Sequence, residues 1–406
     1  MTARRKATQR FVFIGMYDER EPRFTAEVMA EIAAGKVFSG GNRHRQLVAH
    51  LLPAGAEWID ITVPLDAVFE HYEDREQVVV FASGDPLFFG FAATVKRRLP
   101  AADTTVYPAT NSLTTLAHRA VLPYHDMRAV SLTGRPWAEF DRALIESSPK
   151  IGILTDPVHT PVAIARRMID YGYTGYSMIV GERLGNRDHE RVVSLSLDEA
   201  ARVTEFATPN CVIVHGTPRR APLGIPDSEF ELLDGRALMI TKMAVRLTTL
   251  SMLGLESAHC LWDVGFCTGS VSIEARRRFP WLAVHSFEMR PECETLIEIN
   301  SRRHGTPGID VHIGDFLDPD LNLDTLPRPD AVFVGGHGGR IEQVVARAAG
   351  RLTPGGTMVF NSVSNESLDR FLAALPVAGL ALNDRTRLAA DNHNPIEILK
   401  AIKLPG

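Results

Sequence analysis

The 406-residue sequence predicts an α/β protein built from two unlike domains. Three observations predict it. Short apolar or β-branched runs alternate with helical patterns along the whole chain. A Pro-rich stretch, Thr217-Pro-Arg-Arg-Ala-Pro-Leu-Gly-Ile-Pro226, breaks that alternation near the middle. A glycine-bearing turn, Asp263-Val-Gly-Phe-Cys-Thr-Gly-Ser270, follows an apolar run and opens a helical pattern, with no matching motif in the first half.

Taken in order, Phe11–Ile14, Val78–Ala82, Ala129–Leu132, Ile151–Leu154, Ser177–Val180 and Cys211–Val214 read as strands, with helices over Thr25–Ala34 and Pro161–Tyr171. Mostly parallel sheets are expected from this spacing. The Pro-rich stretch marks a linker over 216–226, dividing a domain at 10–215 from one at 227–406. Beyond it, Cys260–Val264, Ala283–Phe287, Asp310–Ile313, Ala331–Val334 and Thr357–Phe360 are strands at the spacing of a doubly wound sheet.

Composition narrows the function classes. With 45% hydrophobic residues the chain can bury a sizeable core. A net charge of -5 gives no footprint for tracking a phosphate backbone, so no nucleic-acid partner is expected. The four cysteines, Cys211, Cys260, Cys267 and Cys293, form no C-x-x-C pair and no zinc spacing, and they read as reduced thiols of a cytoplasmic protein. The basic start lacks an apolar run behind it and no stretch approaches the length of a membrane span, so no membrane partner is expected, and with nothing that looks like a dedicated metal site no resident metal is expected either.

The second half carries the clearest chemistry. Gly265 and Gly269 frame a turn in strand–turn–helix context, but Cys267 stands where a nicotinamide fingerprint needs its middle glycine. Dinucleotide binding is disfavoured. Glu288 ends the next strand, where a carboxylate can accept from both ribose hydroxyls, and Gly314-Asp315 ends the third, where an acid suits an adenine amino group. Each acid also has a plainer reading: Asp263 capping the turn, Glu288 a solvated strand end, Asp315 the start of a helix. Loop, acid and acid on three successive strands together resemble the Rossmann-like S-adenosylmethionine methyltransferases. His337, in Gly335-Gly-His-Gly-Gly339, follows the fourth strand and is a candidate proton donor or acceptor, or an exposed turn residue.

Longer motifs sharpen the resemblance. Gly224-Ile-Pro-Asp-Ser-Glu-Phe230, Met239-Ile-Thr-Lys-Met-Ala-Val-Arg246, Leu261–Ala275 and Val334-Gly-Gly-His-Gly-Gly339 resemble the CbiT-type precorrin-6B methyltransferase/decarboxylase family over most of 224–402. Val78-Val-Val-Phe-Ala-Ser-Gly-Asp-Pro-Leu-Phe-Phe-Gly90, Pro108-Ala-Thr-Asn-Ser112, Ser131-Leu-Thr-Gly-Arg135, Leu154-Thr-Asp156 and Gly181-Glu-Arg-Leu-Gly185 resemble the CbiE-type corrin methyltransferases, a bilobal fold, over roughly 10–215. Both in this order resemble the fused precorrin-6Y C-5,15-methyltransferase (decarboxylating) family, the CobL type.

That resemblance implies S-adenosylmethionine as cofactor, a precorrin tetrapyrrole as substrate, methylation at carbons 5 and 15, loss of carbon dioxide from the ring C acetate, and a homo-oligomer. It implies cofactor contacts from Ser83, Gly84, Asp85 and Ser112 in the first domain. In the second it implies Thr241, Asp263, Gly265, Phe266, Cys267, Thr268, Gly269, Glu288, Gly314 and Asp315. A sulfonium methyl is already activated, so placement dominates the first reaction. Decarboxylation needs a proton, for which His337 is the candidate. The substrate's carboxylates call for cations, with Lys242 and Arg246 as catalytic-site candidates and Arg135 as a substrate binder, or else as ordinary surface charges.

Two stretches depart from the family pattern. Ile14-Gly-Met-Tyr-Asp-Glu-Arg20 keeps only the first glycine of a G-x-G-P-G loop, and its bulky and acidic residues are expected to crowd the first site's mouth. Phe266 and Cys267 replace small residues in the cofactor loop. The competing readings are a methyltransferase acting on RNA or protein, and a binding or scaffold protein with a decayed first site.

Overall fold

The computed structural model describes residues 8–17, 22–218, 222–236, 238–389 and 395–405. Two compact units result. The first comprises Met1–Arg135, Pro149–Ala165 and Tyr176–Gly216, and the second comprises Pro136–Ser148, Arg166–Gly175 and Thr217–Gly406. Of the Pro-rich stretch, Arg219, Arg220 and Ala221 lie outside the described residues.

The first unit holds two five-stranded sheets. In one, β1 (Arg10–Met16), β2 (Val37–Gly40), β3 (Glu57–Asp60), β4 (Gln77–Ser83) and β5 (Asp103–Tyr107) run parallel in the order β3-β2-β4-β1-β5. The central strands are apolar on both faces because both faces are covered. Phe11, Phe13, Val78 and Val80 pack with Tyr72 on one side, whereas Val12, Ile14, Val79 and Phe81 meet Val28 and Ile32 on the other. Those last two belong to the helix Ala26–Ala34, whose Thr25 cap accepts from the Val28 amide at 3.3 Å.

The other sheet corrects an expectation. Its strands β6 (Arg128–Ser131), β7 (Lys150–Leu154), β8 (Tyr176–Glu182), β9 (Arg191–Ser196) and β10 (Asn210–Gly216) run in the order β6-β7-β10-β8-β9. Only β6 and β7 pair in parallel; the other pairs are antiparallel. A buried apolar run looks the same in either direction, so the sequence pattern carried no information about it.

The second unit is built on one seven-stranded sheet. Its strands are β11 (Cys260–Val264), β12 (Ala283–Glu288), β13 (Ile309–Ile313), β14 (Ala331–Val334), β15 (Thr357–Ser362), β16 (Leu380–Leu388) and β17 (Ile396–Lys403), ordered β13-β12-β11-β14-β15-β17-β16. The first five run parallel and β16–β17 closes the edge as an antiparallel pair. Alternate residues feed two cores: Trp262 and Val332 join Phe287, Phe316 and Phe360 on one face, while Leu261 and Phe333 join Val284, Val359 and Ile398 on the other. Because β11 has its successor β12 on one side and β14 on the other, the direction in which the strand order grows reverses there. The loops after β11 and β14 therefore open a cleft at the sheet's carboxyl edge.

A histidine pair bridges β12 and β13. His285 Nδ1 lies 3.2 Å from His312 Nε2 and 3.7 Å from the Asp310 carboxylate. Burial pushes both imidazoles below their ordinary pKa, most directly because a charged ring here loses its water. An unfolded chain takes up these protons near pH 6.5, before the folded one does, so their contribution to stability is intact above that pH and declines as pH falls below it. The pair's share of the melting temperature, read as wild type against His285→Gln, should hold steady from pH 8 to 7 and drop between pH 6.5 and 5. An unchanged slope in the variant would show that the pair is not the source of that drop.

Candidate cofactor and substrate sites

At the carboxyl edge of the second unit, the loops after β11 and β14 touch backbone to backbone. The amides of Gly335 and Gly336 both donate to the Val264 carbonyl, at 2.8 and 3.1 Å. A Cβ on Gly265 would sit 2.4 Å from the Gly336 nitrogen, and its φ of 81° is left-handed, so only glycine fits. Above this floor opens a cleft of about 320 Å³ lined by Gly265, Glu288, Gly314, Asp315, His337 and, at its rim, several arginines.

Each acid of the cleft is held by local geometry. Glu288 ends β12 and accepts the Cys267 amide on Oε2 at 3.1 Å and the Met289 amide on Oε1 at 2.9 Å. Arg290 forks onto the same carboxylate through Nε (3.0 Å) and Nη2 (2.9 Å). Asp315 accepts the Leu317 amide at 2.9 Å, and Arg340 Nη2 donates to both its oxygens at 3.0 and 2.9 Å. That turn amide first, then Arg340, holds the Asp315 carboxyl below the usual range. His337 packs edge-on against Phe360, with ring centroids 5.8 Å apart. Its Nδ1 is buried with no hydrogen-bond partner among the described residues. Burial, then Arg370, keeps this imidazole below its ordinary pKa, so it is neutral near pH 7.

The first unit has its own cavity of about 260 Å³, lined by Met16, Arg43, His44, Ser83, Gly84, Ser112 and Asn210, among others. It forms where β1 and β4 end side by side, and a Cβ on Gly15 would lie 2.2 Å from the Gly84 carbonyl oxygen. The Gly41 amide donates to His44 Nδ1 at 3.2 Å, so the neutral ring carries its proton on Nε2 and donates to Ser83 Oγ at 2.9 Å. This orientation leaves the Ser83 proton for an occupant. Burial, then Arg43, depresses the His44 pKa and favours that neutral form.

Each half of the chain matches a known family profile. A family profile described as precorrin methyltransferase domain matches residues 233–403, and one described as tetrapyrrole (corrin/porphyrin) methylases matches 24–201. The precorrin-6Y C(5,15)-methyltransferase (decarboxylating) of a Sinorhizobium species is 32% identical over 82% of this chain and 80% of its own length. The chain belongs to this family. The cobalt-precorrin-6B C(15)-methyltransferase (decarboxylating) of Salmonella typhimurium is 37% identical over 40% of this chain and 83% of its own. Among solved structures, precorrin-6Y C5,15-methyltransferase from Geobacter metallireducens is 31% identical, covering 45% of this chain and all of its own, with a TM-score of 0.41.

For this precorrin-6Y methyltransferase family member, the structure separates the residues anticipated from sequence. Gly265, Glu288, Gly314, Asp315 and His337 share one cleft, and Ser83, Gly84 and Ser112 share one cavity. Phe266, Cys267 and Thr268 turn their side chains inward, so this part of the loop does not line the cleft, and neither does Gly269. Asp263 is sealed beneath the loop, where Ser272 Oγ donates to it at 2.5 Å and burial pushes its carboxyl up to about 7. Thr241 offers its carbonyl to Arg246 at 2.6 Å, and Lys242 faces Asp227 at 3.7 Å, both away from the cleft. Asp85 closes its own turn by accepting the Leu87 amide, and the Arg135 guanidinium lies 5.2 Å over the Phe89 ring; neither lines the cavity. Met16 does line the first site's mouth, and the Tyr17 hydroxyl, also at that mouth, is tied to Thr110 Oγ1 at 2.8 Å. Asp18, Glu19 and Arg20 of the departed loop lie outside the described residues.

Arg246 is the clearest correction. It is fully buried, and four of its five donors go to Glu274 (2.6 Å), Thr241, Asp227 and the Ile225 carbonyl, so it presents no donor at a surface that a substrate carboxylate could reach. The cations the sequence did not single out, Arg236, Arg290 and Arg340, line the cleft instead. Arg246→Met should strand Glu274 as an uncompensated buried charge and cost about 3–5 kcal/mol of stability. Chemical denaturation measures this directly; a variant of native stability with a raised substrate KM would restore Arg246 to substrate binding.

Proposed function

We propose that the two halves, divided at 216–226, work as separate S-adenosylmethionine-dependent methyltransferases on one precorrin-type tetrapyrrole, as their family does in cobalamin biosynthesis. The first methylates carbon 5; the second methylates carbon 15 and removes carbon dioxide from the ring C acetate. The observation that carries this is the convergence of Glu288, Asp315, the bare Gly265 backbone and His337 on one cleft. Its two acceptors suit the cofactor's ribose diol and adenine amino group, and the glycine floor lets a ligand approach the backbone. When bound, the cofactor supplies a methyl group already activated on sulfur. The residues then have to place an electron-rich ring carbon beside it, which accords with a glycine-backbone floor and with no Ser, Thr, Cys, Tyr or Lys among the residues lining the cleft.

In the first half, Ser83, Gly84 and Ser112 would hold the cofactor, with Ser83 turned into a donor by His44. Placement in the cytoplasm belongs to the same proposal. It is supported by four unpaired, buried cysteines and by the absence, among the described residues, of any helix long and apolar enough to cross a membrane.

Mass spectrometry of the tetrapyrrole after incubation with the cofactor tests the whole reading, with two methyl groups gained and one carbon dioxide lost. Glu288→Ala should leave a product with a single added methyl and its carboxylate intact, provided the first half accepts that substrate. If that variant still performs both methylations and the decarboxylation at native rates, the second cofactor site lies elsewhere.

His337 adds a pH signature. A neutral imidazole must gain a proton before it can deliver one, so decarboxylation should quicken as pH falls below about 6.5 toward the residue's depressed pKa. His337→Ala should slow that step by about 100-fold or more and erase the rise. A pH profile that is the same in both proteins would assign the proton to another donor.

A further inference from the structure

The two carboxylates assigned to the cofactor are already engaged. A carboxylate offers about four acceptor positions. Glu288 uses two on the fixed backbone amides of Cys267 and Met289 and gives the rest to the Arg290 fork, with the Arg290 amide a weaker fifth donor at 3.3 Å. A ribose diol needs two of these positions. The backbone donors cannot leave without unfolding the loop, whereas the guanidinium can swing, since it ends a flexible side chain at the rim of the cleft.

The neighbourhood shows where it would go. Arg290 Nη1 also lies 3.5 Å from the Met239 sulfur, and Arg236 Nη1 reaches the same sulfur at 3.7 Å. Two cations thus converge on a neutral thioether, a weak acceptor that cancels neither charge. Among the described residues Arg236 has no carboxylate partner. The position is fitted to an anion, and a substrate that loses carbon dioxide carries a carboxylate of its own. Arg340 repeats the pattern: it caps Asp315, the second cofactor acceptor, from the same rim.

We infer that Arg290 is an exchangeable latch: the cofactor ribose takes its place on Glu288, and the released guanidinium joins Arg236 in holding a carboxylate of the tetrapyrrole. This rests on the cofactor site proposed above and adds a consequence to it. Cofactor and substrate bind the second site with positive coupling, and by linkage each tightens the other equally.

Calorimetric titration of the full chain with S-adenosylhomocysteine, with and without the tetrapyrrole substrate, measures the coupling. The second site is the one that Glu288→Ala removes. In the wild type, substrate should tighten S-adenosylhomocysteine there by about fivefold or more. Arg290→Gln should bind it more tightly than wild type in the absence of substrate, lose the effect of substrate, and raise the substrate KM for decarboxylation by about tenfold. Arg290→Lys, which keeps the charge without the fork, should restore part of the KM but little of the competition. It also serves if the glutamine variant folds poorly. Wild-type coupling in Arg290→Gln, or weaker binding of S-adenosylhomocysteine alone, overturns the latch while leaving the site assignment standing. A Glu288→Ala chain that retains both binding sites overturns the assignment and the latch together.

Discussion

The second active cleft depends on one steric constraint, the contact between the loops after β11 and β14. Gly265 meets the Gly336 backbone so closely that no side chain can intervene. The Gly265 amide donates to the Phe287 carbonyl at 2.8 Å, which fixes the same loop to β12. Two residues on, the Cys267 amide points at Glu288, so the acid proposed to accept the ribose is positioned by backbone as well as by Arg290. Cys267 itself adopts a left-handed φ of 49°, which a non-glycine residue tolerates only at some cost. Its buried side chain, packed in the cluster with Phe266, Ile273 and Cys293, offsets that cost. The bulky pair Phe266-Cys267 therefore serves the core, and the amide that faces Glu288 is indifferent to its size.

Charge is arranged with equal economy. Arg246, Glu274 and Asp227 form a buried brace that ties the chain entering the second half to the helices Met243–Leu253 and Ser270–Arg278. Burying such a triad stabilises little by itself, but leaving one member unpaired is expensive, so it fixes a single path for residues 225–227. The cleft arginines obey the opposite rule. Partly exposed, Arg290 and Arg340 can each exchange one carboxylate for another at small net cost.

The legible part of the molecule follows from this difference. Long apolar strands such as β4 and β11 announced themselves because a sheet covered on both faces demands continuous hydrophobicity. The glycine turn and the acids at 288 and 315 could be read because strand ends fix where such residues point. Strands β2, β3, β5 and β9 are short or half-exposed and gave no such run. With β2 went the helix after it, and so Arg43 and His44 of the first cavity were out of reach. The arginines were illegible for a different reason: nothing in spacing distinguishes Arg246, spent inside the protein, from Arg236, facing the cleft. Arg290 had the one usable signal, its place two residues after the strand-end acid.

The two sites differ in electrostatic character in a way that matches the different tasks proposed for them. The first cavity lacks any carboxylate among its lining residues and presents Ser, Thr and Tyr hydroxyls, glycine backbone, Arg43 and a histidine kept neutral. That is sufficient where placement is the main requirement, because the leaving group departs neutral once the sulfonium gives up its methyl. The second cleft holds two carboxylates, three arginines and His337. Releasing carbon dioxide pushes an electron pair into the ring, and the departing charge must be balanced as it moves. Cations near the substrate favour the ionised carboxylate and so oppose its departure, which makes a proton source on the ring the necessary counterweight. A half-buried histidine of depressed pKa gives up a proton readily once charged, and His337 stands in the cleft beside three arginines.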